Sequence, residues 1–138
     1  MLQNIEARAI SLEKQYAPEL PPMLMDREQM KQVFLNLMLN AAQAMDRGGK
    51  LTIHTALRSQ HPGDRNSPLV EIGIQDTGPG LSGDIRAKIF EPFFSTKEEG
   101  IGLGLPIAQR IVEEHGGEIR VGSSPGEGTT FYVILPLK

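Results

Sequence analysis

The sequence predicts an α+β fold, a two-layer α/β sandwich in which a mixed, mostly antiparallel sheet is covered on one face by three helices. The first observation is two pairs of alternating apolar and polar runs, each pair joined by a turn-rich segment, which predicts two β-hairpins. These runs are residues 50–58 with 69–76 and residues 118–122 with 129–135. The second observation is a long stretch after Asp26 with one apolar face, typical of a helix that packs on a sheet. The whole chain, residues 1–138, is expected to form one domain.

The segment before the first helix predicts two short strands and a loop. Ile5, Ala7 and Ala9 alternate with charged residues, which indicates an edge strand. Residues 16–22 hold three prolines and predict a connecting loop. Residues 23–25 are interpreted as a short strand.

The helix from residue 27 to about residue 46 has the strongest signals in the chain. Asp26 is predicted to be its N-cap, with Gln29 three residues later as in a capping box. Gly48 and Gly49 end the pattern. The apolar residues that recur at helical spacing are predicted to face the core: Met30, Val33, Phe34, Leu37, Ala41 and Met45.

A second stripe on this helix consists of amide side chains: Gln32, Asn36, Asn40 and Gln43. Asn is a poor helix former in a helix interior, so a row of amides needs an explanation. The stripe is either a solvated polar face or a set of side chains that face a ligand or metal. Asn36 and Asn40 lie one turn apart, and an amide oxygen is a hard ligand that suits Mg²⁺.

Asp76 ends the second strand of the first hairpin. It shares the parity of Val70, Ile72 and Ile74, so it is predicted to face the core. A buried carboxylate needs a hydrogen-bond donor. The donor is either an amino group of a ligand or the backbone of the following turn, which Asp often caps.

Two glycine clusters lie on either side of the segment that follows Asp76. They are Gly78 with Gly80, directly after the strand, and Gly100 with Gly102 and Gly104, directly before the last helix. Glycine leaves room for a ligand close to the backbone, and the start of a helix favours a phosphate. The alternative is two tight turns and a flexible loop. The spacing matches neither a P-loop nor the G-x-G-x-x-G pattern.

Two more helices are predicted around these clusters. Ser82 is interpreted as the cap of a short helix in which Ile85 and Ile89 face inward. The last helix begins near Gly104 and ends before Gly116, and its predicted apolar face is Ile107, Ala108, Ile111 and Val112.

The segment between the two helices is rich in phenylalanine and then poor in apolar residues. Phe90, Phe93 and Phe94 are interpreted as hydrophobic packing or as the hinge of a mobile lid. Residues 95–104 predict that lid. Lys97 is its only cation and either meets a phosphate or is solvated.

Composition excludes several classes of function. The net charge of -3 argues against a nucleic-acid surface, which usually carries a basic patch. The absence of cysteine excludes disulfide and thiol chemistry and fits a reducing compartment. No apolar run approaches about eighteen residues, so we expect no direct membrane contact from this domain and a cytoplasmic location.

Four blocks of residues, in this order, resemble the ATP-binding catalytic domain of bacterial sensor histidine kinases, a branch of the GHKL superfamily that also contains gyrase. The blocks are Asn36-x-x-x-Asn40-Ala41, Asp76-x-Gly78-x-Gly80, Phe90-Glu91-Pro92-Phe93-Phe94 and Gly100-x-Gly102-Leu103-Gly104-Leu105, known there as the N, G1, F and G2 boxes. The resemblance extends from about Asp26 to the end of the chain. It implies the ATP-binding sandwich fold of histidine kinases and gyrase.

The resemblance implies a protein-histidine kinase catalytic domain that binds ATP with Mg²⁺. It would donate the γ-phosphoryl group to a His on a separate dimerisation and phosphoacceptor domain, with a response regulator as a further partner in two-component signal transduction. The implied catalytic residues are Asn36, Asn40 and Lys97, with Asn40 as the metal ligand. The implied nucleotide contacts are Asn40, Gln43, Ala44, Asp76, Gly78, Gly80, Phe94, Gly100, Gly102, Leu103, Gly104, Leu105 and Thr129. Parent kinases of this kind are often anchored in a membrane elsewhere in their chains.

Thr129 and Gln43 enter this set on weaker grounds than the four blocks. Thr129 shares the parity of Phe131 and Val133, so its hydroxyl is predicted to face the same pocket as Asp76. Gln43 stands where many members of the family have a charged residue, which is a departure from the pattern.

Two other functions stay open from the sequence. ATP-hydrolysing relatives carry a Glu one turn before the Mg²⁺-binding Asn, and this chain has Asn36 there, whose amide cannot accept a proton. The second open function is a regulatory module that binds nucleotide without transferring phosphate. The family's acceptor His is typically followed by an acidic residue, and none of His54, His61 and His115 is. The acceptor is therefore expected on another domain.

Overall fold

The computed structural model describes residues 10–16, 25–45, 48–59, 68–81, 83–91, 104–123 and 126–136. Five strands and two helices form in these ranges. In chain order they are β1 (Ile10–Gln15), α1 (Arg27–Ala44), β2 (Gly49–Ser59), β3 (Pro68–Asp76), α2 (Gly104–Glu114), β4 (Glu118–Ser123) and β5 (Thr129–Pro136). A single helical turn, Gly83–Arg86, lies between β3 and α2.

The strands form one mixed sheet in the order β1-β2-β3-β5-β4. β1 runs parallel to β2, and every other neighbouring pair is antiparallel, as the sequence predicts. Both predicted hairpins are confirmed. The central pairing of β3 with β5 sets Asp76 opposite Thr129.

The prediction of three covering helices is wrong for the described residues, where two helices cover the sheet. The expected third helix is the four-residue turn Gly83–Arg86. So short a turn satisfies few of its own backbone groups and is not stable without tertiary packing. Ile89, which follows the turn, supplies that packing and is buried as predicted.

The first edge strand of the sheet among the described residues is β1. The alternation at residues 5–9 lies outside the described residues. β1 escapes prediction because charged and polar side chains dominate it. The Lys50 ammonium contacts the Glu13 carboxylate across the pair and holds the pKa of Glu13 below its ordinary value. Of the short strand expected at residues 23–25, only Met25 is described, and it is exposed and outside any strand.

The core lies between the helices and one face of the sheet. All five aliphatic residues of the predicted α1 face are buried: Met30, Val33, Leu37, Ala41 and Met45. Phe34 packs against the core from its edge. Phe90 also packs there, with its ring edge-on to Phe131 at a centroid distance of 6.3 Å, which supports the packing interpretation for this residue.

The predicted face of α2 is confirmed at Ala108, Ile111 and Val112 but wrong at Ile107, which is 41% exposed. Successive helical residues are rotated by about 100°, so Ile107 lies well around the helix from Ala108. The buried stripe is centred on Ala108 and Val112 and leaves Ile107 at its margin.

The two helices are connected at the start of α1. Asp26 caps α1 as predicted, because its Oδ1 accepts from the Gln29 N–H at 2.9 Å. The Asp26 N–H in turn donates to His115 Nε2 at 3.0 Å, just beyond α2. The other ring nitrogen of His115 lies 2.8 Å from the Ile111 carbonyl oxygen. None of the helices in the described ranges is long and apolar enough to cross a membrane.

Candidate functional site

Asp76 is the most deeply buried charged residue among those described, with 2% of its surface exposed. It is the last residue of β3 and lies on the core side of the sheet, as its parity predicts. Its Oδ1 accepts from the Gly78 N–H at 2.8 Å and lies 3.3 Å from the Thr129 N–H donor. The carboxylate therefore caps the following turn and also joins β3 to the start of β5.

The segment after Asp76, residues 77–81, is called the glycine loop below. Gly78 lies so close to the end of α1 that a Cβ would come within 2.8 Å of the Ala44 carbonyl oxygen. Gly80 has a φ of 78°, a left-handed conformation that favours glycine. Both glycines are thus required by the backbone of this protein, whatever a ligand adds. Gly78 brings the loop against α1 at Ala44.

The turn between β4 and β5 also holds the glycine loop. The Gly126 N–H donates to the Pro79 carbonyl oxygen at 2.6 Å. Gly128 has a φ of +80°, and a Cβ there would overlap the carbonyl oxygen of Asp76. Three separate segments therefore meet at the end of β3: the glycine loop, the end of α1 and the turn before β5.

The amide stripe of α1 divides into two halves in the structure. Gln32 Nε2 donates to Asn36 Oδ1 at 2.8 Å, and Asn36 Nδ2 donates to the Gly104 carbonyl oxygen at 3.0 Å. Asn36 thus ties α1 to the first residue of α2. An amide suits this position because it donates to the carbonyl and accepts from Gln32 at once.

The other half of the stripe lies nearer the glycine loop. Asn40 and Gln43 are both half-buried, and Asn40 lies one turn before Ala44, which contacts Gly78. The Asn40 side chain makes no hydrogen bond to any residue that the structure describes. A half-buried amide of this kind has an oxygen available to a ligand or cation.

The remaining predicted site residues divide between the described and the undescribed parts of the chain. Thr129 is buried at the start of β5, on the same side of the sheet as Asp76. Gly104 is exposed at the start of α2, and Leu105 packs against the core. Phe94, Lys97, Gly100, Gly102 and Leu103 lie outside the described residues, as does the predicted lid up to residue 103.

Sequence reasoning missed two residues that build the site. Thr77 Oγ1 accepts from the Lys50 N–H at 3.0 Å and so ties the loop to β2. Ser123, at the end of β4, bonds to the loop at Leu81. The alternation of β4 could have identified Ser123. It lies on the same sheet face as Ile119 and Val121, and it ends the strand beside the site.

The donor set has a definite chemistry. The buried carboxylate of Asp76 suits a neutral or positively charged hydrogen-bond donor, such as an amino group. No group of three or more His, Cys, Asp or Glu side chains that could hold a metal occurs within the described ranges. Asn40 offers a hard amide oxygen. Such an oxygen suits a Mg²⁺ ion that keeps several waters and takes its remaining ligands from phosphate groups.

An α+β sandwich with a buried carboxylate at a strand end, a glycine loop beside it and an amide-bearing helix opposite is the architecture of a nucleotide-binding ATPase domain. The family described as histidine kinase-, DNA gyrase B-, and HSP90-like ATPase matches residues 25–138, and the chain belongs to this family.

Its relatives are sensor kinases. The signal transduction histidine-protein kinase AtoS of Escherichia coli (strain K12) is 46% identical over 119 residues, which cover 86% of this chain and 18% of AtoS. The solved catalytic domain of histidine kinase ThkA is 31% identical with a TM-score of 0.80, over 99% of this chain and 86% of that one.

Full-length ShkA in complex with AMPPNP is 32% identical with a TM-score of 0.78, over 98% of this chain and 27% of ShkA. The chain therefore corresponds to a histidine kinase catalytic domain and spans well under half the length of curated relatives such as AtoS.

Proposed function

We propose that the chain binds ATP with Mg²⁺ and donates the γ-phosphoryl group to a His on a separate dimerisation and phosphoacceptor domain, in two-component signalling with a response regulator. The observation that carries the proposal is the meeting of Asp76, the glycine loop and the Asn40 end of α1 at the end of the central strand β3. Residues 1–138 form the ATP-binding unit, which works in the cytoplasm, where its phosphodonor is made.

At the adenine end, the Asp76 carboxylate accepts from the adenine amino group, and Thr129 lies beside it. Gly78 and Gly80 keep the loop free of side chains, so the base approaches the backbone. The AMPPNP complex of ShkA, a protein of the same fold, supports an adenine nucleotide as the ligand.

At the phosphate end, the Asn40 oxygen would hold Mg²⁺, with Gln43 and Ala44 at the same end of α1. When bound, Mg²⁺ neutralises charge on the β- and γ-phosphates. Gly100, Gly102, Leu103, Gly104 and Leu105 are proposed to bind the phosphates next to the start of α2, with Lys97 in the predicted lid and Phe94 directly before it. The positive end of the α2 dipole favours these anions.

The phosphoryl acceptor is proposed to be a His on a partner, because the described His residues of this chain are engaged in other contacts. His115 is held between Asp26 and Ile111, and the His54 ring lies 3.4 Å from a Glu71 carboxylate oxygen in the sheet. His61 lies outside the described residues. Asn36 provides no proton-accepting group for water, because its amide is not basic and bonds to Gln32 and Gly104. These contacts favour transfer to an external His over hydrolysis.

Replacing Asn40 with Leu tests the metal end of the site. We expect the variant to weaken ATP binding strongly when Mg²⁺ is present and only slightly in EDTA, because the lost group is a metal ligand. Calorimetric titration in the two conditions measures the difference. Gln29→Leu is the matched control, since it removes an amide from the exposed start of the same helix and should change neither affinity. Equal losses in both conditions would make Asn40 a structural residue.

A further inference from the structure

Ser123, the last residue of β4, has a hydroxyl that contacts three groups on two other segments. Its Oγ accepts from the Leu81 N–H at 2.7 Å, at the end of the glycine loop. It also lies 3.0 Å from the Gly128 carbonyl oxygen and 2.9 Å from Thr129 Oγ1. One half-buried hydroxyl therefore joins the glycine loop to the start of β5.

The protons in this cluster can be assigned by counting donors. A serine hydroxyl has one proton to donate and two lone pairs to accept with. The Gly128 carbonyl oxygen can only accept, so the Ser123 proton goes to it. The bond between the two hydroxyls is then donated by Thr129. Its proton is committed to Ser123, and Thr129 Oγ1 keeps only lone pairs for any further partner.

This assignment makes both side chains of the buried Asp76–Thr129 register pair hydrogen-bond acceptors. Thr129 is the register partner of Asp76, and its own N–H lies 3.3 Å from Asp76 Oδ1. A carboxylate and an acceptor-only hydroxyl thus occupy directly opposed positions on the same face of the sheet. Such a pair favours an amino group and disfavours a carbonyl oxygen, because two acceptors that face each other leave both without a hydrogen bond.

We propose that Ser123 is a positioning residue for base selection: by holding the Thr129 proton and the glycine loop, it makes the pocket select a purine with a 6-amino group over one with a 6-oxo group. The inference rests on the proposed function, because it assumes that a nucleotide base occupies this pocket. Ser123 itself need not touch the base.

The test compares ATP with ITP, which has a carbonyl oxygen where ATP has the amino group and an N1–H where ATP has a bare ring nitrogen. The diagnostic quantity is therefore the change in the ratio of the two affinities on substitution. We expect the unmodified chain to bind ATP more tightly than ITP. Ser123→Ala should bind ATP roughly tenfold more weakly, because Thr129 and Leu81 lose their partner. Its affinity for ITP should fall less, because the lost Leu81 contact affects both nucleotides but the freed Thr129 proton can be donated to the carbonyl of ITP. Calorimetric titration gives all four affinities.

Two further variants make the result specific. Ser123→Thr keeps the hydroxyl at a strand position and should restore the preference for ATP. Ser11→Ala removes a hydroxyl from the exposed edge strand, where it makes only a 3.4 Å contact to Gly49, and should change neither affinity. If Ser123→Ala does not fold, Ser123→Cys gives the same comparison, since a thiol is of similar size but bonds weakly.

The outcomes separate the two proposals. An equal loss for ATP and ITP, or an unchanged ratio in Ser123→Ala or Ser123→Cys, overturns the selection role and leaves the nucleotide site standing. Failure of the unmodified chain to bind ATP at all overturns the proposed function, and this inference with it.

Discussion

Asp76→Asn is expected to weaken ATP binding by roughly 5- to 150-fold, the range that corresponds to losing a buried hydrogen bond worth about 1–3 kcal/mol. The fold should survive, because the Asn oxygen can still accept from the Gly78 and Thr129 backbone donors. The new amino group replaces an acceptor with a donor and so opposes the adenine amino group. Calorimetric titration with ATP measures the loss, and the urea midpoint of unfolding measures the fold.

Asp84→Asn is the matched control for this variant. It makes the same chemical change and the same change in net charge at an exposed residue of the helical turn. Its ATP affinity should equal that of the unmodified chain. If the two variants bind ATP equally well, Asp76 does not bind the adenine amino group.

Gly128→Ala is expected to destabilise the protein by about 2–5 kcal/mol. The left-handed backbone at this residue costs a non-glycine side chain about 1–2 kcal/mol, and overpacking adds about 1–3 kcal/mol. The overpacking follows from the close approach of Gly128 to the Asp76 carbonyl oxygen, which is backbone and has little room to move. Urea denaturation measures the change in the free energy of unfolding.

Gly126→Ala separates the two contributions. Gly126 has nearly the same φ, +82°, but a Cβ there meets nothing within 4 Å. Its N–H to Pro79 is kept in the variant. This change should therefore cost only the backbone term, about 1–2 kcal/mol. Equal destabilisation by the two variants would mean that the contact with Asp76 contributes nothing.

The sequence predicted the parts of the fold that depend on local pattern. The α1 face, both hairpins and the inward direction of Asp76 follow from periodicities of 3.6 and 2, which the chain carries in its own residues. The cap at Asp26 is equally local. Each of these needs only a few neighbours to be specified.

The parts that the sequence did not predict depend on contacts between distant segments. Asn36 looks like a ligand-facing amide in the helix, but its partner, Gly104, is 68 residues away. The Ser123 contact with Leu81 spans 42 residues, and the predicted strand ends one residue before Ser123. The edge strand β1 is polar and lacks a clear alternation of its own. Its strand conformation is therefore set by pairing with β2.

The most direct test of the proposed function is transfer of label from γ-³²P-ATP with Mg²⁺, to the chain alone and to the chain mixed with its phosphoacceptor domain as a separate polypeptide. Because the described His side chains are held in other contacts, we expect no label on the chain alone, very slow hydrolysis, and label on the His of the added domain. An acceptor domain with that His changed to Gln should stay unlabelled. Self-labelling, brisk ATP hydrolysis by the chain alone, or ATP binding without transfer to the acceptor would contradict the proposed function.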